Sequence, residues 1–365
     1  MSTNVQTQTA APVLPYTDAE ISESINNIPN MPSQLASAGM FPDKGSASQY
    51  VAISSVNGTL SALPVTGDGP PTLKRHGSGN VKYIKIPTIK HQDDVMAADI
   101  RGWLDLARAS GTGQAETFAG LFNDRLSDFK DNFTLTREYM RMSALKGIIV
   151  DGGNNEVLNL YTAFGIGTKD VYFNLDDPST NLLALCNKVF TLITQDLSDE
   201  VMTNVEVRVD GVFFNKLISH PNAEKYWLNQ EAATQLANAV RGQDGNYQPR
   251  KFVFGNITWL EYDAMVPLWG GTTTPMIASG TGHAYPAGTR KTHKSYIAPP
   301  DDIRVLNGQP FDVSKAIYIT TEEMKHGAGV EILGRLNALP LWTRPKLLVT
   351  VHAAAGTSTV TATGL

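Results

Sequence analysis

A single cysteine, Cys186, in a chain of 365 residues excludes any intrachain disulfide. Its place in the apolar run from Leu182 to Ile193 reads as a buried thiol rather than a reactive one, and synthesis in a reducing cytoplasm is expected. No stretch approaches the roughly 18 consecutive apolar residues of a membrane span, so no membrane partner is expected. Residues Met1 to Pro15 lack both the basic start and the apolar core of a secretory signal. Charge is also scarce, at 18% of residues, with a formal net charge of -5. That balance argues against a protein whose task is to grip phosphate backbones, because non-specific DNA affinity comes from neutralising phosphates with Lys and Arg. A container that encloses DNA without reading it stays allowed. With 42% hydrophobic residues the chain can build a full core.

Catalytic constellations are missing as well. The glycine-rich stretches Gly280 to Gly288 and Gly327 to Gly334 fail the dinucleotide pattern, since Tyr285 and Ile332 stand where its last glycine belongs. No phosphate loop is present. The 7 histidines are scattered, with no His-Glu-x-x-His and no second cysteine to complete a zinc site, so neither cofactor nor metal is expected. Gly77-Ser78-Gly79 lacks the spacing of a nucleophile elbow and precedes a strand, which makes it a turn; a hydrolase using Ser78 is the rival from the enzyme class. The acid pairs Asp93-Asp94, Asp176-Asp177 and Asp301-Asp302 sit beside prolines or helix starts, and adjacent carboxylates point different ways, so none is given a role.

What is present is architectural. Residues 1 to about 36 are rich in Thr, Ser, Asn, Gln and Pro and read as an extended arm with one short helix over Asp18 to Ile28, a disordered tail being the alternative. Alternation from Gln49 to about Val65 around Asn57-Gly58 predicts a hairpin. A Gly- and Pro-rich loop then feeds Val81 to Pro87, which alternates strictly as a strand. Between Pro70 and His91 the charged residues are Lys74, Arg75, Lys82, Lys85 and Lys90, all basic. A long two-stranded ribbon is marginal in water, so it needs a surface to lie on, and another subunit supplies one.

From Thr117 to Ile148 no proline interrupts, and Phe118, Phe122, Leu126, Phe129, Phe133 and Met140 recur at helical spacing. One helix of about 45 Å is expected, longer than a compact domain needs for its own core; two helices parted near Asn132 to Thr136 are the alternative. Asp151-Gly152-Gly153-Asn154 forms the turn of a following hairpin, Ile148 to Tyr161. A helix beginning at Asp177-Pro178-Ser179, a strand at Val205 to Asp210, a helix at Val212 to Ser219, another from Pro221 toward Val240 and a strand at Lys251 to Trp259 predict an α/β domain. Later strands are expected at Arg304 to Leu306, Ala316 to Thr320, Gly329 to Gly334 and Leu347 to His352, with a mobile tail from Ala353.

In this order the features resemble the lambda-like major capsid proteins of tailed bacteriophages, the major capsid protein E family. Three stretches carry the likeness: His76-Gly-Ser-Gly-Asn-Val-Lys-Tyr-Ile-Lys-Ile-Pro87; Glu116 to Asp124 with Thr136 to Arg141, Ala144 to Gly147 and Asp151-Gly152; and Gly329-Val-Glu-Ile-Leu-Gly-Arg-Leu-Asn-Ala-Leu-Pro340 with Thr343-Arg344-Pro345. They cover about residues 50 to 350. The resemblance implies the α+β fold of the Hong Kong 97 phage coat. Its parts would be an N-terminal arm (1–48), an extended β-hairpin loop (49–100), a peripheral domain with a spine helix (101–178), an α/β axial domain (179–280), returning strands (281–352) and a tail (353–365). It implies self-assembly into pentamers and hexamers of an icosahedral shell around double-stranded DNA, assembled in the host cytoplasm with scaffolding, decoration and portal proteins as possible partners, and no catalysis. An encapsulin-type nanocompartment is the alternative. Contact candidates between subunits are Lys74, Arg75, Lys82, Lys85 and Lys90, facing Asp124, Asp128, Asp131 and Glu138 of a neighbour's long helix. A solvated basic strand is the competing reading of the lysines.

Overall fold

The computed structural model describes residues 33–46, 48–54, 81–99, 114–197, 200–228, 250–303 and 315–360. The chain divides into two compact units. The first comprises 1–31, 87–134 and 297–338, and the second 32–86, 135–296 and 339–365.

Its longest element is the helix Gln114–Lys146, 33 residues without a break at Asn132 to Thr136 and therefore about 50 Å long. The single helix expected from the spacing is realised, and the alternative of two parted helices is not. Its residues to Thr134 belong to the first unit and those from Leu135 to the second. In the first unit, Leu121, Phe122, Leu126, Phe129 and Phe133 form one core with Val95, Ile317, Ile319, Ile332 and Leu336 of a three-stranded antiparallel sheet. Burying each of those helix side chains contributes about 1.5–3 kcal/mol. The sheet's strands are Ile89–Met96, Gly329–Leu336 and Ile317–Glu323, with Gly329–Leu336 central. That central strand alternates strictly, placing Val330, Ile332, Gly334 and Leu336 inward. The segment from Ile89 thus belongs to this sheet and not to the extended loop, where the sequence reading had placed everything to residue 100.

In the second unit a mixed seven-stranded sheet runs in the order Thr359–Val360, Lys169–Tyr172, Val349–His352, Thr281–Ala287, Asn204–Val209, Ile257–Glu261, Lys251–Phe254. Two of its pairs are parallel, Ile257–Glu261 with Asn204–Val209 and Val349–His352 with Lys169–Tyr172. The helices Leu182–Leu197 and Gly211–Ile218 bury Leu182, Cys186, Val189, Ile193, Phe213, Phe214 and Leu217 in the same core as its strands. Trp259 stacks on Phe213 at 5.6 Å and meets Phe173 edge-on at 5.5 Å. Asp210 caps the second of these helices, accepting from the backbone N–H of Val212 at 3.1 Å and Phe213 at 3.0 Å.

Three local expectations are corrected. The expected strand Lys251 to Trp259 is a hairpin, because Gly255 and Asn256 both adopt positive φ (61° and 60°) and turn the chain in two residues. The helix expected at Asp177 begins at Leu182; Asn181 accepts from Ala184 N–H at 3.1 Å, while Asp177 holds a separate turn through Ser179. Strand Tyr50–Ser54 pairs with Val81–Lys85. The returning strand is therefore its partner, and Asn57-Gly58 lies outside the described residues. So do the arm helix, Ser78, the strand at Arg304 to Leu306 and the helix beyond Leu228.

Candidate assembly surfaces

The ribbon Tyr50–Ser54 with Val81–Lys85 is built by period-2 alternation, which gives it two unlike faces. Val51 is buried, whereas Tyr50, Tyr83 and Lys85 face solvent, Tyr83 with 72% of its surface exposed. Tyr50 and Lys85 stand directly opposite each other in register. The exposed face is thus aromatic as well as cationic, a feature that counting lysines alone missed and that the spacing of Tyr83 and Lys85 could have signalled. Lys74 and Arg75 lie outside the described residues, and Lys82 is described only in its backbone, paired with Ile53. Lys90 is exposed and sits on the first unit's sheet, in register with Arg335.

The acidic candidates form a surface of the first unit. Asp124 and Asp128 are exposed and Asp131 half-buried, on successive turns of the long helix. Beside them runs strand Ile89–Met96: Asp93 lies 3.4 Å from Arg125, and the His91 ring packs on Phe129 at 4.6 Å. Together His91, Asp93, Arg125, Asp128, Phe129 and Asp131 line an open depression, with three carboxylates against one guanidinium. Such a depression suits a ligand with a flat apolar body and a cationic end.

Glu138 does not belong to this surface. It is 2% exposed and accepts hydrogen bonds from Leu35 N–H at 2.7 Å and Tyr262 O–H at 3.0 Å, with Arg141 at 3.5 Å. Beyond Arg137 the helix is buried around most of its circumference, so spacing along it no longer selects a wet face. Glu138 instead anchors the segment from Ser33 to Gly45. Arg208, itself buried, donates to Gln34 at 2.9 Å and to Tyr285 at 3.1 Å; Arg137 pairs with Asp43; and Phe41 is buried edge-on to Trp342 at 6.0 Å. Burial and the neighbouring carboxylate push the Tyr262 phenol above its ordinary range.

The acid pairs have structural partners: Asp93 faces Arg125, Asp176 faces Lys216 at 2.7 Å, and Asp302 bonds Arg335 at 2.9 Å. Cys186 is fully buried, and burial pushes its thiol up to about 12. Among the described residues no three His, Cys, Asp or Glu converge as metal ligands, and no helix is long and apolar enough to cross a membrane.

Three comparisons bear on this arrangement. The family model described as phage major capsid protein E matches residues 17–353. The chain is similar to the major capsid protein of Salmonella phage Felix O1, 24% identical over 361 residues covering 92% of this chain and 96% of that protein. It is similar to the major capsid protein of Pseudomonas phage KPP10, 26% identical over 355 residues with 93% and 97% covered. Among solved structures, the crystal structure assigned to a prophage capsid protein of Escherichia coli CFT073 superposes with a TM-score of 0.54 at 12% identity, covering 92% of this chain and 99% of that one.

Proposed function

We propose, from the premise that this chain belongs to the phage major capsid protein E family, that its copies close into pentamers and hexamers by laying the ribbon of one subunit into the acidic depression of the next. The chain is a phage major capsid protein of α+β, Hong Kong 97-type fold; it associates with itself into the capsid shell, and the shell is the virion head. The encapsulin alternative is not favoured: the family and both curated relatives are phage capsid proteins.

One observation carries the docking proposal. The ribbon presents Tyr50, Tyr83 and Lys85 to solvent, and the depression is lined by Asp93, Asp128 and Asp131 beside His91 and Phe129, so the charges are complementary and both surfaces carry rings that can pack together. A ring of subunits requires such a heterologous contact, in which one face meets a different face of the next copy. Each exposed ion pair is worth only about 0–1 kcal/mol, so the charges set register and the tyrosines supply the buried area. Asp128 and Asp131 of the depression are the receiving acids, with Asp124 exposed one turn before them on the same helix, and Lys85 is the cation on the ribbon's solvent face; Lys74, Arg75 and Lys82 remain the further basic candidates of the sequence.

Double-stranded DNA is then held by enclosure rather than by sequence-specific contact, in keeping with a net charge of -5. Assembly takes place in the host cytoplasm; scaffolding, decoration and portal proteins are candidate partners, and no reaction is assigned to the chain. The test is charge reversal. Lys85→Glu should leave folded subunits that do not form shells by electron microscopy, and adding Asp128→Lys should restore them. Normal shells from Lys85→Glu alone would sink the docking proposal.

A further inference from the structure

Among the described residues of the second unit, one aromatic side chain stands almost fully in solvent away from the ribbon's strands. Trp269 is 84% exposed, the highest value among the large hydrophobic residues described. It stands at the tip of a short hairpin, Met265–Pro267 with Thr273–Pro275, on which Met265 is also exposed. An isolated hairpin of this length is marginal in water, yet this tip is fixed at both ends. The Trp269 N–H donates to the Gly152 carbonyl at 3.0 Å, Leu268 N–H closes the loop on Thr272 at 2.7 Å, and Gly270 and Gly271 take positive φ of 105° and 86° to make the turn. At the base, Val266, Met276 and Ile277 are buried, and Met276 N–H bonds the Ala264 carbonyl at 2.8 Å. The indole is therefore presented on a rigid stalk, with the ordering cost of binding already met in the free subunit. Beside it lies the polar turn of Asp151 and Asn155, which holds itself closed through Asp151 Oδ1 and Asn155 N–H at 2.8 Å. An aromatic centre with a polar margin is the composition of an interface hot spot.

The charge pattern selects the occupant. From Ala264 to Gly282 there is no Asp, Glu, Lys or Arg, in a chain with 18% charged residues. A polyanion would need cations here and finds none. A second copy of this chain carries the same net charge of -5, and an uncharged surface is where two such copies approach without repulsion. The chain is already a self-associating shell subunit, so that partner is present at every position of the shell. We propose that Trp269 is an anchor that inserts into a neighbouring copy of this chain on shell assembly, a contact separate from the ribbon and the acidic depression.

Acrylamide quenching tests this directly. Comparing wild type with Trp269→Phe isolates the Trp269 signal, in unassembled subunits and in shells made from this chain alone. The expected result is free quenching in subunits and several-fold lower quenching in shells. Trp269→Ala should raise the subunit concentration needed for assembly roughly tenfold or more while leaving the thermal unfolding of unassembled subunits unchanged. Shells in which Trp269 stays as quenchable as in subunits would overturn the proposal, and so would protection that appears only when a second protein is added. Should the chain alone form no shells, subunit association is read instead by sedimentation: self-association that Trp269→Ala leaves unchanged overturns this proposal, whereas no self-association at all counts against the docking proposed for the ribbon as well.

Discussion

Gly334→Ala adds one methyl group and is expected to destabilise the first unit, because the central strand of its sheet lies flush against the long helix at this residue. A β-carbon on Gly334 would sit 2.7 Å from Cε2 of Phe133 and 2.8 Å and 3.0 Å from Cδ1 and Cε1 of Phe129. Carbon atoms pack best at about 3.5–4.0 Å, so three contacts would fall roughly 0.5–1.3 Å short. Both rings are buried in the core shared with the sheet and have little room to turn. Overpacking of this kind costs about 1–3 kcal/mol. At roughly 2–4 °C per kcal/mol the melting temperature should fall by about 2–12 °C in a calorimetric scan. Gly120→Ala is the matched control: a β-carbon there meets nothing within 4 Å, and on the long helix Ala is favoured over Gly by about 1 kcal/mol, so the same change should leave stability equal or higher. Phe133→Leu, which removes the nearest ring, should recover part of the loss in the Gly334→Ala background. A Gly334→Ala protein that melts with the wild type, or a double variant that falls by the sum of both losses, would refute the steric reasoning.

Two further outcomes follow from buried polar groups. Glu138→Ala leaves the Leu35 N–H, the Tyr262 hydroxyl and Arg141 without their shared acceptor; a loss of about 3–5 kcal/mol is expected, read as earlier unfolding and as faster proteolysis within residues 33–45, and unchanged protection of that segment would contradict its anchoring role. Burial, with Lys146 and His352 nearby, holds His283 down to about 3. Above pH 6.5 neither folded nor unfolded chain protonates it; as pH falls below that value only the unfolded chain gains the proton, so stability drops by about 1.4 kcal/mol per pH unit, near 2 kcal/mol by pH 5, until the folded value is reached. Denaturant midpoints at pH 7 and pH 5 should therefore differ more in the wild type than in His283→Gln, and equal differences would dismiss His283 as the source.

How far the fold could be read from residues depended on whether a signal was local. The long helix was legible because an apolar stripe repeats from Phe122 to Met140 without Pro or Gly to break it, and Gly329–Leu336 because it alternates inward and outward without a fault. The strands Thr281–Ala287 and Ala338–Trp342 were missed, since they are buried on both faces and show no alternation. The Gly255-Asn256 turn hid inside an apolar stretch that two strands share. Glu138 was misread for a related reason. Its partners lie 103 and 124 residues away in sequence, so nothing near it shows that a carboxylate at that point of the helix is satisfied in the core.

Those distant partners also bear on the docking proposed for the ribbon. Leu35 and Phe41 are buried, Asp43 is held by Arg137, and the Pro42 carbonyl accepts from Ser295 N–H at 3.0 Å, so the chain is fixed just before the ribbon begins at Tyr50. On the return side Ile86 is buried and its N–H bonds the Gln49 carbonyl at 2.8 Å. Both strands therefore leave the second unit from pinned roots, which sets the direction of the exposed Tyr50, Tyr83 and Lys85 face before any neighbour arrives. A flexible root would lose that orientation entropy on each docking event, and a shell multiplies the loss by every subunit it contains. Glu138, Arg208 and Arg137 thus hold the segment that precedes the ribbon, which is the part they would play in the docking proposed above.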